Sequence, residues 1–176
     1  AARSWDAEVV LLEKRSEVNK AAQEKQQEGY VFIHPSADKD VICGQASAAF
    51  EALNEIGEVD AVFTPCGGGG LASGTFLSTK KLSPKAKIFT CEPLQANDTA
   101  ISLRQNKIFH FTESPDTIAD GARTLGTSEI CFNYLKQHDG LFEITEDEII
   151  TWRKKLENIF KQKIEPTCCL AIAGVV

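Results

Sequence analysis

The sequence predicts an α/β fold: a parallel sheet with helices on both faces, three layers in all. Strand-length apolar runs alternate with helically spaced apolar residues along the chain. The lengths of both suit parallel strands joined by crossover helices. No repeat, low-complexity stretch or linker interrupts the alternation.

In chain order, Ala7–Leu12 (AEVVLL) is the first strand expected, followed by a polar, charged helix over Ser16–Gln27 with Val18 and Ala22 on one face. Tyr30–Ile33 (YVFI) is the second strand. Val41–Ile56 carries Val41, Ile42, Ala46, Ala49, Phe50 and Leu53 at helical spacing. Ala61–Thr64 is the third strand, Leu71–Lys81 a helix, and Lys87–Cys91 the fourth strand. Thr145 followed three residues later by Glu148 is a capping box. It opens a helix whose core face is Ile149, Trp152, Leu156 and Ile159.

Composition narrows the class. The chain has 176 residues, enough for one domain with a sizeable core, and is 43% hydrophobic and 25% charged. A formal net charge of −6 argues against a nucleic-acid partner, which would require clustered Lys and Arg. No apolar run approaches the roughly 20 residues that span a bilayer, so no membrane partner is expected. Six cysteines without C-x-x-C or zinc spacing suit structural thiols in a reducing compartment, and the expected location is cytoplasmic. The chain lacks Met and finishes on the apolar run Ala173-Gly174-Val175-Val176. It is therefore read as an internal piece of a longer protein.

The main chemical signal is Pro65-Cys66-Gly67-Gly68-Gly69-Gly70-Leu71, placed between a strand and a helix. Four consecutive glycines lose much backbone entropy on folding. That loss makes sense where successive N–H groups must form a concave nest at the positive end of a helix, a site for an anion such as phosphate. The plainer reading is a tight turn. A nucleoside-triphosphate loop is excluded because no G-x-x-x-x-G-K-[ST] is present, and a dinucleotide fingerprint is not matched.

A second constellation is Glu92-Pro93-Leu94-Gln95-Ala96-Asn97-Asp98. A loop of this length brings two carboxylates and a carbonyl to one point, and such oxygen ligands suit Mg²⁺, Ca²⁺ or Mn²⁺. The plainer reading is a helix-capping Asp98 and an unrelated surface Glu92. His34, His110 and His138 are read as structural or surface residues.

These motifs together resemble the fold-type-II pyridoxal-phosphate enzymes, and among them the serine/threonine dehydratase and serine racemase family. The resemblance rests on His34-Pro35, Val41-Ile42-Cys43-Gly44-Gln45, the tetraglycine loop, Glu92-Pro93, Thr117-Ile118-Ala119-Asp120-Gly121, Thr145 to Ile149 and Ile164-Glu165-Pro166-Thr167. It implies a tryptophan-synthase-β-like fold. Residues 1–28 would end the small, substrate domain, and residues 29–176 would form a large cofactor-binding domain truncated at its C-terminus. Gly67, Gly68, Gly69, Gly70 and Leu71 would hold the phosphate of pyridoxal 5'-phosphate, with Asp120, Gly121 and Glu165 beside its ring. Glu92, the Ala96 carbonyl and Asp98 would bind the divalent cation.

The resemblance further implies a homodimer acting on a small hydroxy amino acid. The reaction would be Cα-proton abstraction and β-elimination from L-serine, L-threonine or 3-hydroxyaspartate, giving a 2-oxo acid and ammonia. Serine racemisation, a β-replacement synthase and a non-catalytic phosphate-binding regulatory domain stay open. The family's Schiff-base lysine motif, its substrate-carboxylate loop and its C-terminal Ser-Gly-Gly-Asn segment have no counterpart here. This chain by itself is expected to be inactive.

Overall fold

The structure, a computed structural model, describes residues 2–13 and 17–176. Its centre is a parallel three-stranded sheet, β1 (Ala61–Pro65), β2 (Lys87–Pro93) and β3 (Gly140–Ile144), in the order β1-β2-β3. Phe63 pairs with Phe89, which pairs with Gly140; Pro65 pairs with Cys91, which pairs with Phe142. Parallel strands need crossovers. Between β1 and β2 this is α3 (Gly70–Leu82); between β2 and β3 the chain runs through α4 (Asp98–Gln105) and α5 (Glu129–Leu135).

Side-chain alternation along the strands gives the sheet two differently covered faces. On one, Thr64 meets Thr75 of α3 and the Thr90 hydroxyl lies 2.7 Å from His138 Nδ1. α2 (Lys39–Ile56) lies on α3, with Gly74 allowing close approach: a Cβ there would fall 2.7 Å from the Ile42 carbonyl oxygen. On the other face the Phe63 and Phe89 rings stack at 4.9 Å, and Phe142 joins them. Against this face α7 (Cys169–Val175) buries Leu170 with Cys91, and α6 (Glu146–Phe160) adds Ile149 and Leu156. The three layers predicted are present.

The capping box of α6 forms as expected: Glu148 N–H donates to the Thr145 hydroxyl, and Thr145 N–H donates to the Glu148 carboxylate at 2.8 Å. Ile149 and Leu156 are buried and Trp152 partly so, but Ile159 is 67% exposed. Phe50 of α2, placed on a core face by its spacing, is also exposed. α2 has one flank on α3, and Phe50 falls outside that stripe.

Two expected strands are corrected. Ala7–Leu12 and Tyr30–Ile33 belong to no sheet among the described residues. An apolar run becomes a strand only when another backbone pairs with it, and Leu11 and Val31 are exposed at 79% and 87%. The helix expected over Ser16–Gln27 is α1 (Val18–Gln27); Ser16 lies outside the described residues. α1 buries none of its residues, Val18 and Ala22 included. Conversely, β3 has no counterpart in the sequence reading. It is registered by Asp139, whose N–H donates to the Ile88 carbonyl while its carboxylate accepts from the Ile88 amide. None of the described helices is long and apolar enough to cross a membrane.

Candidate functional site

The loops that leave β1, β2 and β3 all emerge at the carboxyl edge of the sheet, where parallel α/β sheets place their ligands. The first is the glycine loop. Cys66 N–H donates to the Cys91 carbonyl, ending the strand pairing, and α3 begins at Gly70. Gly69 sits at the helix N-cap with φ +89°, a left-handed conformation that suits glycine. Among the described residues, no acceptor engages the amides of Gly67, Gly68, Gly69, Gly70 or Leu71. Five free N–H groups at the positive end of a 13-residue helix can hold a phosphate.

The glycines also have a packing reason. A Cβ on Gly67 would lie 2.7 Å from the Gly121 carbonyl oxygen, on Gly68 2.5 Å from Ser36 Oγ, on Gly69 2.8 Å from Cys131 Cβ, and on Gly70 3.0 Å from Ser36 Cα. The loop is thus walled by the turn at residues 34–37, the segment at 120–124 and α5. His34 secures the first wall, its Nδ1 accepting from the amides of Ser36 and Ala37. Neither Ser36 nor Cys131 was singled out by the sequence motifs. Their role follows only from packing between residues distant in the chain.

Asp120 and Gly121 lie in a short 3-10 turn, both exposed, between buried Ala119 and Ala122. Gly121 N–H donates to Thr167 Oγ1 at 3.1 Å, and that hydroxyl donates to Glu165 at 3.0 Å. Glu165 also accepts from the Thr167 amide and so caps the 3-10 turn Pro166–Cys168. Gly67, Gly121, Thr167 and Glu165 therefore form a connected line beside the glycine loop. Thr167, which joins the last two segments, was quoted in a motif but given no role.

The loop after β2 contains Glu92, Ala96 and Asp98, all buried. Glu92 accepts from the amides of Ala100 at 2.7 Å and Thr99 at 3.3 Å, so it caps α4 from the neighbouring strand. Asp98 caps nothing: neither oxygen of its fully buried carboxylate has a hydrogen-bond partner. Burial raises the pKa of Asp98 to about 7. Burial, and next the charge of Asp98, raise that of Glu92 to about 8. Among the described residues no group of three or more His, Cys, Asp or Glu side chains could hold a metal. Any cation here would need further oxygen ligands besides the two carboxylates. An orphaned carboxylate beside a second buried acid is chemically suited to one.

Free amides at a helix N-terminus on the carboxyl edge of a parallel sheet, without nucleotide-binding motifs, give an α/β domain a site suited to an anionic ligand. The chain belongs to the family described as "Pyridoxal-phosphate dependent enzyme", whose profile matches residues 1–176. It is 40% identical over 149 residues to the L-threo-3-hydroxyaspartate ammonia-lyase of Saccharomyces cerevisiae, covering 84% of this chain and 45% of that protein. It is 40% identical over 147 residues to the serine racemase of Dictyostelium discoideum, covering 82% and 45%. Among solved structures, a T.th. threonine deaminase superposes with a TM-score of 0.86 at 37% identity, covering 99% of this chain and 59% of that one. The chain spans about half the length of the curated relatives it matches.

Proposed function

We propose that the full-length protein is a pyridoxal-phosphate-dependent ammonia-lyase acting on L-serine, L-threonine or a related 3-hydroxy amino acid. The observation that carries this is the set of free amides at Gly67–Leu71, in a chain whose relatives include ammonia-lyases and serine racemases. The cofactor, when bound, supplies an electron-withdrawing ring that acidifies the substrate Cα proton. This chain's part is to hold and orient. The amides of Gly67–Leu71 would take the phosphate; Asp120, Gly121 and Glu165 would flank the ring, with Thr167 fixing the spacing of the last two. The group that removes the proton lies outside this chain, so the chain alone is proposed to be inactive. Racemisation is the second reading, supported by the similarity to serine racemases.

Glu92, the Ala96 carbonyl and Asp98 are proposed to bind Mg²⁺, or Ca²⁺ or Mn²⁺, a reading supported by the orphaned Asp98 carboxylate. Residues 1–28 are assigned to the small domain and 29–176 to the large one. A cytoplasmic homodimer is the assembly proposed. The test is to express the full-length protein, measure its near-ultraviolet and visible absorbance with added pyridoxal phosphate, and assay ammonia and 2-oxo acid release from the three substrates. Cofactor absorbance with turnover of at least one substrate is expected; no cofactor uptake would end the proposal. Uptake with only D-serine formation would select racemisation.

A further inference from the structure

The segment before α1 and α1 itself line one side of a cleft of about 780 Å³, and Asp120 and Arg123 line the other. Two basic residues border it. Lys25 is paired with Glu28 at 2.8 Å, whereas no carboxylate among the described residues lies within ion-pair distance of Arg123. Arg123 is nonetheless fixed in place. Its backbone amide donates to the Asp120 carbonyl at 3.1 Å, closing the turn that carries Gly121, and its Nε donates to the Pro115 carbonyl at 3.1 Å. The preceding residue, Ala122, packs on the glycine loop: its Cα lies 3.1 Å from where a Cβ on Gly67 would be. With Nε engaged, the two terminal nitrogens of Arg123 remain as a planar fork, the arrangement that takes a carboxylate through two parallel N–H bonds. A half-buried guanidinium held by its own Nε has less side-chain freedom to lose on binding. Glu13, Glu24 and Asp120 also line the cleft. It is therefore no general anion surface, and only a carboxylate that reaches the fork gains from it.

We propose that Arg123 receives the side-chain carboxylate of an acidic substrate, and so selects 3-hydroxyaspartate over L-serine and L-threonine. This rests on the ammonia-lyase reading given above, with Gly121 beside the cofactor ring and Arg123 two residues further on. Serine ends in a hydroxymethyl group and threonine adds a methyl; neither can satisfy the fork. A site built around a polar group discriminates strongly against a substrate that leaves that group unpaired. All three substrates share the β-hydroxyl, so the contact bears on selection and not on the bond that breaks.

The experiment uses the full-length protein loaded with pyridoxal phosphate. Values of kcat/KM for the three substrates are measured from 2-oxo acid release, and binding of succinate and of butyrate is measured by calorimetry. Succinate keeps both carboxylates of 3-hydroxyaspartate without its amine or hydroxyl, and butyrate keeps one. The wild type is expected to prefer 3-hydroxyaspartate to L-serine, and succinate to butyrate, by roughly tenfold or more. Arg123→Met should lower both ratios by about fivefold or more, because it removes the fork and keeps the stem. Arg123→Lys, which retains the charge without the fork, should fall between the two and stands in should Arg123→Met not fold. Unchanged ratios in Arg123→Met, or in Arg123→Lys where it stands in, would overturn the proposal and leave the ammonia-lyase reading in place. A wild type that prefers L-serine would do the same. Absence of cofactor uptake, or of 2-oxo acid release from all three substrates, would end both.

Discussion

The carboxylate of Glu92 accepts the backbone amide of Ala100 at 2.7 Å, so the acid at the end of β2 caps a helix that begins six residues later. Asp98, on the first turn of that helix, makes no such bond. The two acids should therefore respond oppositely to loss of the carboxylate. In chelator, Glu92→Ala, which removes the acceptor, should lower stability by about 1–2 kcal/mol, the usual effect of losing a cap. Asp98→Asn should leave the melting temperature unchanged or raise it, because it removes an uncompensated buried carboxylate. Thermal melts with and without Mg²⁺ also test the cation site: Asp98→Asn should abolish any Mg²⁺-dependent rise. Equal loss in both variants without cation would contradict the asymmetry.

Gly69 should tolerate no side chain. Gly69→Ala would place a methyl in a left-handed backbone, which costs about 1–2 kcal/mol, and 2.8 Å from Cys131 Cβ. The full-length variant should melt lower and bind pyridoxal phosphate at least tenfold more weakly by absorbance titration. Unchanged affinity would mean that the loop amides do not hold the phosphate.

Thr145→Ala removes one half of the α6 capping box. The expected loss is about 1 kcal/mol, read as a shifted denaturation midpoint with an unchanged slope. Thr145→Ser should recover most of it. Cofactor affinity should not change, since α6 packs on the opposite face of the sheet from α3.

His138 is held in its neutral form. Burial lowers its pKa to about 4, with the charge of Asp139 opposing the shift. The unfolded chain therefore binds a proton that the folded one refuses between about pH 6.5 and pH 4. This contribution to stability is complete above pH 6.5 and disappears as pH falls toward 4. In denaturant titrations across that window, the difference between wild type and His138→Gln should shrink as pH decreases. A constant difference would show that His138 titrates normally.

The sequence was legible where a local rule was sufficient. The capping box needs only Thr145 and Glu148, and the strand–glycine–helix order needs only residues 61–82. The grouping of Gly67, Gly121 and Glu165 came from motif resemblance, and the physical link, Thr167, is visible only once the segments meet. Tyr30–Ile33 has the composition of a strand but lacks a backbone to pair with among the described residues. β3, which opens on Gly140 after His138-Asp139 and carries a charged Glu143, has no counterpart in the sequence reading and is a strand because β2 pairs with it. The helix-capping role that the plainer reading offered to Asp98 belongs to Glu92, because spacing cannot show which carboxylate faces the amides.

Four glycines in a row are a local feature, yet their walls come from far along the chain. Thr127 meets Gly68 across 59 positions, and Cys131 meets Ser36 across 95. Contacts so widely separated close late in folding, after the local strand and helix units have formed. The anion cradle thus exists only when assembly is essentially finished. A cofactor bound there would read completed molecules rather than template their formation, and would stabilise them by mass action, with the logarithm of its free concentration once above its Kd.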